Sequence, residues 1–328
     1  MTATRISLIN SIITRMKQGG KVLIVSHISP DGDSIGSQLA LYELVKRLGC
    51  EPMIVNHDSA FPKYAFLGKH SLVNVYSEGV AYPKFDFVVI LEAPDLERIG
   101  NVRKLLQPGY EVINIDHHRG NTTYGSINWV DESVAAVGIM VYELFKAAGV
   151  AIDSDVADEL FTAILTDTGR FRFGSTNPEA MRVCADLLEQ GASTKKVSDA
   201  LYASYESNQL RMLGELLAKM ELHHSGESCL LLSDKVIREK YVNGSDELEG
   251  LSEYSLYTKG VKIGALLRET EPTRTKVSLR CHEDYDVAEI AAVHGGGGHR
   301  NAAGCTVALP FAEAKLRVLE QIGKALGR

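Results

Sequence analysis

The first half of the chain alternates short apolar runs with amphipathic segments. Four of the runs predict strands, at residues 21–26, 52–56, 85–91 and 112–115. Residues 41–48 place apolar side chains at i, i+3, i+4 and i+7, and the segment ends at Gly49, as a helix does. Strands that alternate with helices indicate an α/β fold with a mainly parallel sheet covered on both faces.

Three more helices are predicted before residue 191, at 137–148, 154–165 and 178–190. In the third, one apolar face is formed by Met181, Cys184, Ala185 and Leu188. Residues 193 to about 222 are helical in character but have no strand partners. We therefore predict a first domain at residues 1–191 and a helical connector at 192–222.

The remainder of the chain changes pattern and predicts a smaller α+β domain at residues 223–328. Short strands are expected around 228–233, 260–268 and 276–280, followed by a helix at 287–293 and a glycine run. A final amphipathic helix has a predicted buried face of Leu316, Leu319, Ile322 and Leu326.

Composition limits the class of protein. The 328 residues are 45% hydrophobic, which is enough for the cores of two domains. A formal charge of −7 argues against a protein that coats long nucleic acid duplexes or binds an anionic membrane surface. A short anionic substrate in a local basic pocket remains compatible with this charge.

The five cysteines are widely spaced, odd in number and lack a C-x-x-C pair, as in proteins that keep their thiols reduced. The first 21 residues are too polar for a secretory signal, and no run approaches the ~20 apolar residues of a membrane span. We expect a cytoplasmic protein with no membrane partner.

Two polar clusters follow predicted strands. The Asp-His-His triplet at residues 116–118 follows the fourth apolar run, and His27, Asp31 and Asp33 follow the first. The carboxyl ends of strands in open α/β sheets are where ligands bind. Carboxylate and imidazole together suit manganese, magnesium or zinc. The alternative for the first cluster is a loop whose aspartates cap the next helix.

Two further carboxylates fit the same crevice. Glu92 ends a buried strand, and Asp167 lies in a glycine-containing turn after a helix. Taken alone, either residue would be interpreted as a helix cap or a surface residue. Only together with the two polar clusters do they indicate a metal site.

The segments HISPDGDSIGS, LEAPDLERIG, DHH and TDTGRFRF, in this order and spacing, resemble the four motifs of the DHH phosphoesterase superfamily. The segment GGGGHRNAAG at residues 295–304 resembles the glycine motif of the DHH-associated C-terminal domain. The resemblance covers nearly the whole chain. The layout is most similar to the RecJ-like group of oligoribonucleases (nanoRNases) and 3′,5′-bisphosphate nucleotidases (pAp phosphatases).

The resemblance implies two divalent metal ions, with manganese expected and magnesium as the alternative. Carried onto this chain, the ligands would be His27 and Asp31 for one ion and Asp33, His117 and Asp167 for the other. The bridging position, usually aspartate in the family, is Glu92 here, which leaves metal spacing and affinity open. His118 is expected to contact the phosphoryl oxygens or assist the leaving group, with support of Asp116 as the alternative. Asp116 is expected to be an orienting residue, with a weak metal ligand as the alternative.

Substrate-binding residues are expected in the second domain. On composition alone, four consecutive glycines would indicate a flexible linker. Their position after a helix and before a polar segment instead favours close approach of bare backbone to a phosphate or base. By resemblance, the substrate-binding residues would be Gly296, Gly297, Gly298, His299, Arg268 and Arg280.

The resemblance therefore implies a two-metal phosphoesterase that hydrolyses short oligoribonucleotides to mononucleotides and 3′-phosphoadenosine 5′-phosphate to AMP. Its partners would be short single-stranded RNA or small phosphorylated nucleotides, and the family resemblance also allows a homodimer. One alternative is a phosphodiesterase for cyclic dinucleotides or their linear products. An alternative of another class is a nucleotide-binding or regulatory protein whose turnover is impaired by Glu92.

Overall fold

A computed structural model describes residues 3–60, 62–241, 250–282 and 284–328, without the side chain of His299. The chain divides into two compact units, Met1–Ser204 and Tyr205–Arg328. This division falls inside the segment in which we predicted a connector.

A six-stranded sheet forms the centre of the first unit. Its strands are β1 (Gly20–Val25), β2 (Cys50–Asn56), β3 (Val73–Val75), β4 (Phe87–Leu91), β5 (Glu111–Asp116) and β6 (Ile127–Val130). Every neighbouring pair is parallel, and the order is β3-β2-β1-β4-β5-β6. The strand order reverses between β1 and β4, and ligands bind at such switch points. The predicted parallel sheet is confirmed.

Helices cover one face of this sheet. They are α1 (Ala3–Lys17), α2 (Gly32–Arg47), α3 (Val137–Ala148), α4 (Ser154–Asp167), α5 (Pro178–Glu189) and α6 (Thr194–Tyr202). The other face is covered by connecting segments and by a 3₁₀ segment at Leu96–Leu105, through Ile99 and Val102. Because both faces are covered, the central strands are apolar at nearly every position.

Glycines bring the helices of the first unit close together. A Cβ at Gly36 of α2 would lie 2.2 Å from the carbonyl oxygen of Glu159 in α4. A Cβ at Gly32 would lie 2.4 Å from Oγ1 of Thr166. Because the start of α2 can approach the end of α4 this closely, Asp33 and Asp167 become neighbours.

A second six-stranded sheet forms the second unit. Its strands are β7 (Glu221–His223), β8 (Ser228–Ser233), β9 (Ile263–Glu271), β10 (Arg274–Cys281), β11 (Gly297–His299) and β12 (Ala302–Val307). The order is β11-β12-β10-β9-β8-β7, with β8 and β9 parallel and the other pairs antiparallel. The glycine run thus forms an edge strand and does not act as a linker.

Helices pack on both faces of the second sheet. They are α7 (Ser207–Ala218), α8 (Lys235–Tyr241), α9 (Val287–Ala292) and α10 (Phe311–Ala325). Helices α9 and α10 cover one face, and α7 and α8 cover the opposite face near β8 and β9. This arrangement confirms the predicted α+β class.

The predicted apolar face of α5 is wrong by a rotation of about one residue, whereas in α10 only Leu316 departs from the prediction. Ile322 is buried, and Leu319 and Leu326 pack against the core. Met181 and Leu188 of α5 are 50% and 44% exposed, and Leu316 of α10 is 65% exposed. The buried residues are Ala180, Val183, Cys184 and Leu187 in α5 and Ala314, Val318, Ile322 and Gly323 in α10. Smaller or β-branched side chains predominate in the buried set, and they let each helix approach its neighbours closely.

All five cysteines are buried free thiols: Cys50 and Cys184 in the first unit and Cys229, Cys281 and Cys305 in the second. Burial raises the pKa of every one of them, to about 12 at Cys184 and about 11 at Cys281 and Cys305.

Across the described ranges, no helix combines the length and apolar character needed to cross a membrane.

Candidate metal centre

The predicted site residues of the first unit converge at the carboxyl end of its sheet. His27 follows β1, Glu92 follows β4, and Asp116 is the last residue of β5. Asp167 is the last residue of α4. The side chains brought together are His27, Asp31, Asp33, Glu92, Asp116, His117, His118 and Asp167. The cluster therefore lies at the switch point between β1 and β4, with β5 beside it.

Backbone carbonyls fix the orientation of two imidazoles. Nδ1 of His27 donates a hydrogen bond to the carbonyl of Ile28 at 2.7 Å. Nδ1 of His117 donates to the carbonyl of Val134 at 2.9 Å. Because a carbonyl only accepts, the proton is on Nδ1, and Nε2 is the nitrogen directed to the cluster, as in histidines that bind metals.

The Asp31 carboxylate contacts both helix α2 and the cluster. Its Oδ1 accepts a hydrogen bond from the Ser34 amide at 3.0 Å, so it caps α2. Its Oδ2 lies 3.9 Å from Nε2 of His27. The helix cap considered as an alternative is therefore present, and it is compatible with membership of the cluster.

Asp33 is fully buried and caps a different helix from its own. It accepts hydrogen bonds from the amides of Val137 at 2.6 Å and Gly138 at 2.9 Å, and from the Ser37 hydroxyl at 2.8 Å. Ala136, at the N-cap of α3, supplies no side-chain cap of its own. The positive end of α3 therefore stabilises the Asp33 carboxylate.

Glu92 belongs to two of the groups of potential metal ligands in the cluster. Its backbone is left-handed, with φ of 59°, and its side chain is fully buried. Neither carboxylate oxygen accepts a hydrogen bond from any residue that the structure describes. Oε1 lies 3.3 Å from Nε2 of His117. Two buried carboxylate oxygens without donors are costly unless a cation balances them.

Three overlapping triads have ligand atoms within 4.8 Å of one another. They are His27, Asp31 and Glu92; Asp33, His117 and Asp167; and Glu92, His117 and His118. The first two triads divide the predicted ligands as the family resemblance implied, and Glu92 and His117 connect them through the third.

The carboxylates of the cluster hold protons more tightly than usual. Burial, together with the charge of Asp167, raises the pKa of Asp33 to about 6. Burial raises the pKa of Asp167 to about 6 despite the opposing effect of His117. Burial and the charges of Asp33 and Asp167 raise the pKa of Glu92 well above its ordinary value. Carboxylates that repel one another in this way, together with imidazole nitrogens, form a donor set that fits hard or borderline divalent cations.

Asp116 and His118 form a separate pair beside the triads. Nδ1 of His118 donates to Asp116 Oδ1 at 2.8 Å, and Nδ2 of Asn121 donates to Oδ2 at 2.6 Å. Burial opposes ionisation of Asp116, but the hydrogen bonds from His118 and Asn121 prevail and lower its pKa to about 2. Asp116 is thus ionised at neutral pH. Our sequence analysis missed Asn121, although its position in a turn shortly after the triplet was a usable signal.

We expect the metal-free protein to lose stability as pH rises from about 4 to about 6. Asp33 and Asp167 have folded-state pKa values of about 6, above the ~3.9 of an unfolded aspartate, so the folded state binds more protons in this window. Melting temperatures measured with EDTA and with excess Mn²⁺ should therefore diverge as pH increases. A constant difference between the two curves would contradict the assignment of these carboxylates to a cation site.

The remaining predicted site residues lie in the second unit, where Arg268, Arg280 and Gly297 share one face of the sheet. Side chains alternate along a strand, so Lys276, Ser278 and Arg280 of β10 share a face. Arg268 of β9 pairs with Lys276 and lies on the same face. We call this surface, with Gly297 of β11, the basic sheet face. Lys276 is exposed and was not among our predicted residues. The side chain predicted at His299 lies outside the described residues.

The glycines at residues 296–298 differ in whether a side chain could be accommodated there. A Cβ at Gly296 would lie 2.2 Å from the carbonyl oxygen of Gly304, and one at Gly298 would lie 2.5 Å from that of Ala302. A Cβ at Gly297 would meet no heavy atom within 4 Å. Gly296 and Gly298 are therefore needed by the fold itself, whereas the surface at Gly297 is open.

We expect Gly298→Ala to destabilise the protein by about 1–3 kcal/mol, because φ is +146° and the new methyl group overlaps the backbone of Ala302. Gly297→Ala is the matched control and should change the free energy of unfolding by less than about 0.5 kcal/mol. Denaturant unfolding monitored by circular dichroism measures both. Equal stabilities for the two variants would show that β11 does not pack on β12 as described.

A parallel sheet with a carboxylate and imidazole cluster at its switch point defines the class as a metal-dependent α/β enzyme. Comparison with known proteins gives the family. Residues 21–164 match the DHH family, N-terminal domain, and residues 236–327 match the DHHA1 domain. The chain belongs to the DHH family of phosphoesterases.

Two similar proteins span nearly the whole chain. The bifunctional oligoribonuclease and PAP phosphatase NrnA of Thermus thermophilus is 36% identical over 312 residues, which cover 94% of this chain and 91% of that protein. The protein of the same name from Bacillus subtilis is 26% identical over 289 residues, with 87% and 89% covered. The comparisons favour neither of the two alternative functions considered from the sequence.

Solved structures share the fold. An exopolyphosphatase-related protein from Bacteroides fragilis has a TM-score of 0.90 and 25% identity, over 97% of this chain and 96% of that one. An exonuclease RecJ bound to manganese has a TM-score of 0.50 and 15% identity, over 97% and 94%. The second likeness is of the fold alone.

Proposed function

We propose that this protein hydrolyses short oligoribonucleotides to mononucleotides and 3′-phosphoadenosine 5′-phosphate to AMP. The observation that carries the proposal is the pair of candidate metal triads at the sheet's switch point, which Glu92 and His117 connect through the third triad. The names of the Thermus and Bacillus relatives, with similarity along almost the full length, support the choice of substrates.

The donor set supports a pair of divalent cations, with manganese expected and magnesium as the alternative. His27 and Asp31 would hold one cation, Asp33, His117 and Asp167 the other, and Glu92 would contribute to both. When bound, such cations lower the pKa of a water molecule and screen the charge of the phosphate.

Asp116 and His118 would provide general acid catalysis at the leaving group. Asp116, with its pKa of about 2, holds Nδ1 of His118 and favours the charged imidazolium. A proton at Nε2 of His118 can then hydrogen-bond a phosphoryl oxygen or pass to the departing ribose oxygen. The placement of His118 beside Glu92 and His117 supports this role.

The basic sheet face of the second unit would bind the rest of the nucleotide. Arg268 and Arg280 provide guanidinium groups for phosphate oxygens, and Gly297 leaves room for close approach of backbone to a base or phosphate. His299, two residues further along β11, is proposed as a donor by family resemblance. Free thiols are typical of the cytoplasm, where we propose that the enzyme acts.

The test is product analysis by chromatography of the purified, Mn²⁺-loaded protein. The substrates are a diribonucleotide, a long RNA, 3′-phosphoadenosine 5′-phosphate, cyclic di-AMP and pyrophosphate, with EDTA-treated protein as the control. We expect mononucleotides from the dinucleotide and AMP from the bisphosphate, with the long RNA and pyrophosphate nearly intact. Absence of turnover on the first and third substrates would refute the proposal.

A further inference from the structure

Arg98 is a half-buried arginine whose guanidinium has neither an ion pair nor a hydrogen bond among the residues described. Other half-buried arginines of this chain do have such partners. Arg5 pairs with Glu143 at 2.8 Å, and Arg15 pairs with Glu111 at 2.5 Å. A partly desolvated cation without an anion costs free energy. The site around Arg98 is therefore suited to an anion.

The backbone of Arg98 is fixed against the loop that carries His27. The Arg98 amide donates to Oδ1 of Asp95 at 3.0 Å, and its carbonyl accepts from the amide of Ile28 at 2.7 Å. Two residues later, Gly100 is left-handed, and a Cβ there would lie 2.6 Å from Cγ of His57. The chain is thus held tightly on both sides of Arg98.

Arg98 lies beside the metal centre. Its carbonyl accepts a hydrogen bond from the amide of Ile28, the residue that follows the candidate ligand His27. Although the cluster is rich in carboxylates, none of those described lies within salt-bridge distance of this guanidinium. Arg98 therefore places positive charge beside the candidate metal ligands without being neutralised by them.

We propose that Arg98 binds the nonbridging oxygens of the substrate phosphate at the metal centre. This inference rests on the proposed function and adds a residue that it does not include. A guanidinium presents a planar fork that matches two phosphate oxygens, and a fixed positive charge stabilises the charge that develops during phosphoryl transfer. A terminal phosphomonoester carries more negative charge than a phosphodiester, so Arg98 should favour the bisphosphate substrate over the dinucleotide.

Three variants test the proposal: Arg98→Ala, Arg98→Lys and the control Arg103→Ala. Arg103 lies on the same 3₁₀ segment but is exposed and pairs with Glu97. We expect Arg98→Ala to lower kcat/KM by about 100-fold on 3′-phosphoadenosine 5′-phosphate and about 10-fold on a diribonucleotide. Arg98→Lys should recover part of the loss, because lysine keeps the charge but lacks the fork. Arg103→Ala should resemble the wild type.

Calorimetric titration of inorganic phosphate into the Mn²⁺-loaded protein gives a result that does not require turnover. Arg98→Ala should weaken phosphate binding by about tenfold or more without lowering Mn²⁺ affinity or the melting temperature. Wild-type phosphate affinity in that variant would overturn the inference, as would a parallel loss of Mn²⁺ affinity, which would indicate support of the His27 loop. If the wild type turns over neither substrate, the proposed function fails, and the phosphate titration alone decides the role of Arg98.

Discussion

Glu92→Gln is expected to lower kcat/KM by about 10³-fold or more and, at the same time, to make the metal-free protein more stable. The substitution keeps the shape of the side chain but removes the negative charge that both candidate cations would share. Loss of a shared ligand weakens cation binding and the stabilisation of transition-state charge, each by several kcal/mol in comparable sites.

The gain in stability follows from the sign of the pKa shift. The pKa of Glu92 is raised in the folded state by burial and by Asp33 and Asp167, so ionisation at neutral pH opposes folding. Glutamine removes this cost when no cation is present. Melting temperature in EDTA should therefore rise, whereas the increase on adding Mn²⁺ should shrink.

Glu143→Gln is the matched control. Glu143 is also a buried glutamate, but its carboxylate accepts a hydrogen bond from Nε of Arg5 at 2.8 Å. Its substitution should destabilise the protein and leave kcat/KM close to wild type, because it breaks a buried pair outside the cluster. A metal-free Glu92→Gln protein that is less stable than wild type would contradict the view of Glu92 as an uncompensated charge.

Asp116→Asn is expected to lower kcat by about 10²-fold or more, with Mn²⁺ affinity little changed. The ionised carboxylate fixes His118 through Nδ1, and an amide can neither hold that tautomer as firmly nor stabilise a charged imidazole. Steady-state kinetics and a Mn²⁺ titration on the same preparation separate the two effects.

A double-mutant cycle gives the decisive comparison. If Asp116 acts through His118, then Asp116→Asn combined with His118→Ala should be no slower than His118→Ala alone. Asn121→Ala removes the 2.6 Å hydrogen bond to the other carboxylate oxygen, along with hydrogen bonds from Asn114 and the Thr123 amide, and leaves the His118 bond in place. Its smaller loss in kcat serves as a reference. Losses that multiply in the double variant would mean that Asp116 and His118 act independently.

Much of the fold followed from periodicity, since central strands and long helices have strong patterns. The bounds of α3 agree with the prediction, and β4 and β5 differ by two residues or fewer at each end. The predicted face of α5, and Leu316 in α10, were wrong because apolar side chains also line the neighbouring stripe of each helix. Only the packing partner determines which stripe faces inward, and that information is not local.

The sequence was sufficient to predict which residues come together in the candidate site. Strand ends of a parallel sheet lie side by side, so acidic residues and histidines after β1, β4 and β5 were expected to converge. The hydrogen bonds that hold these side chains in place were not predictable. Asp33 caps α3 across 104 residues of sequence, and Nδ1 of His117 depends on the carbonyl of Val134. Such contacts arise from tertiary packing and leave no local pattern.

The glycine run illustrates the same limit. Its composition fits a linker, yet Gly296 and Gly298 are required where β11 packs closely on β12. The need for glycine comes from a neighbouring strand, which a composition count does not include.

Because every cysteine is buried, the native thiols can be used as probes of unfolding. Cys50 and Cys184 report on the first unit, and Cys229, Cys281 and Cys305 on the second. Buried thiols with raised pKa values react with alkylating reagents only after the surrounding structure opens. Pulse labelling followed by mass spectrometry would therefore count two modifications from one unit and three from the other. The order in which they appear would reveal whether the two units open together or one before the other, without any engineered label.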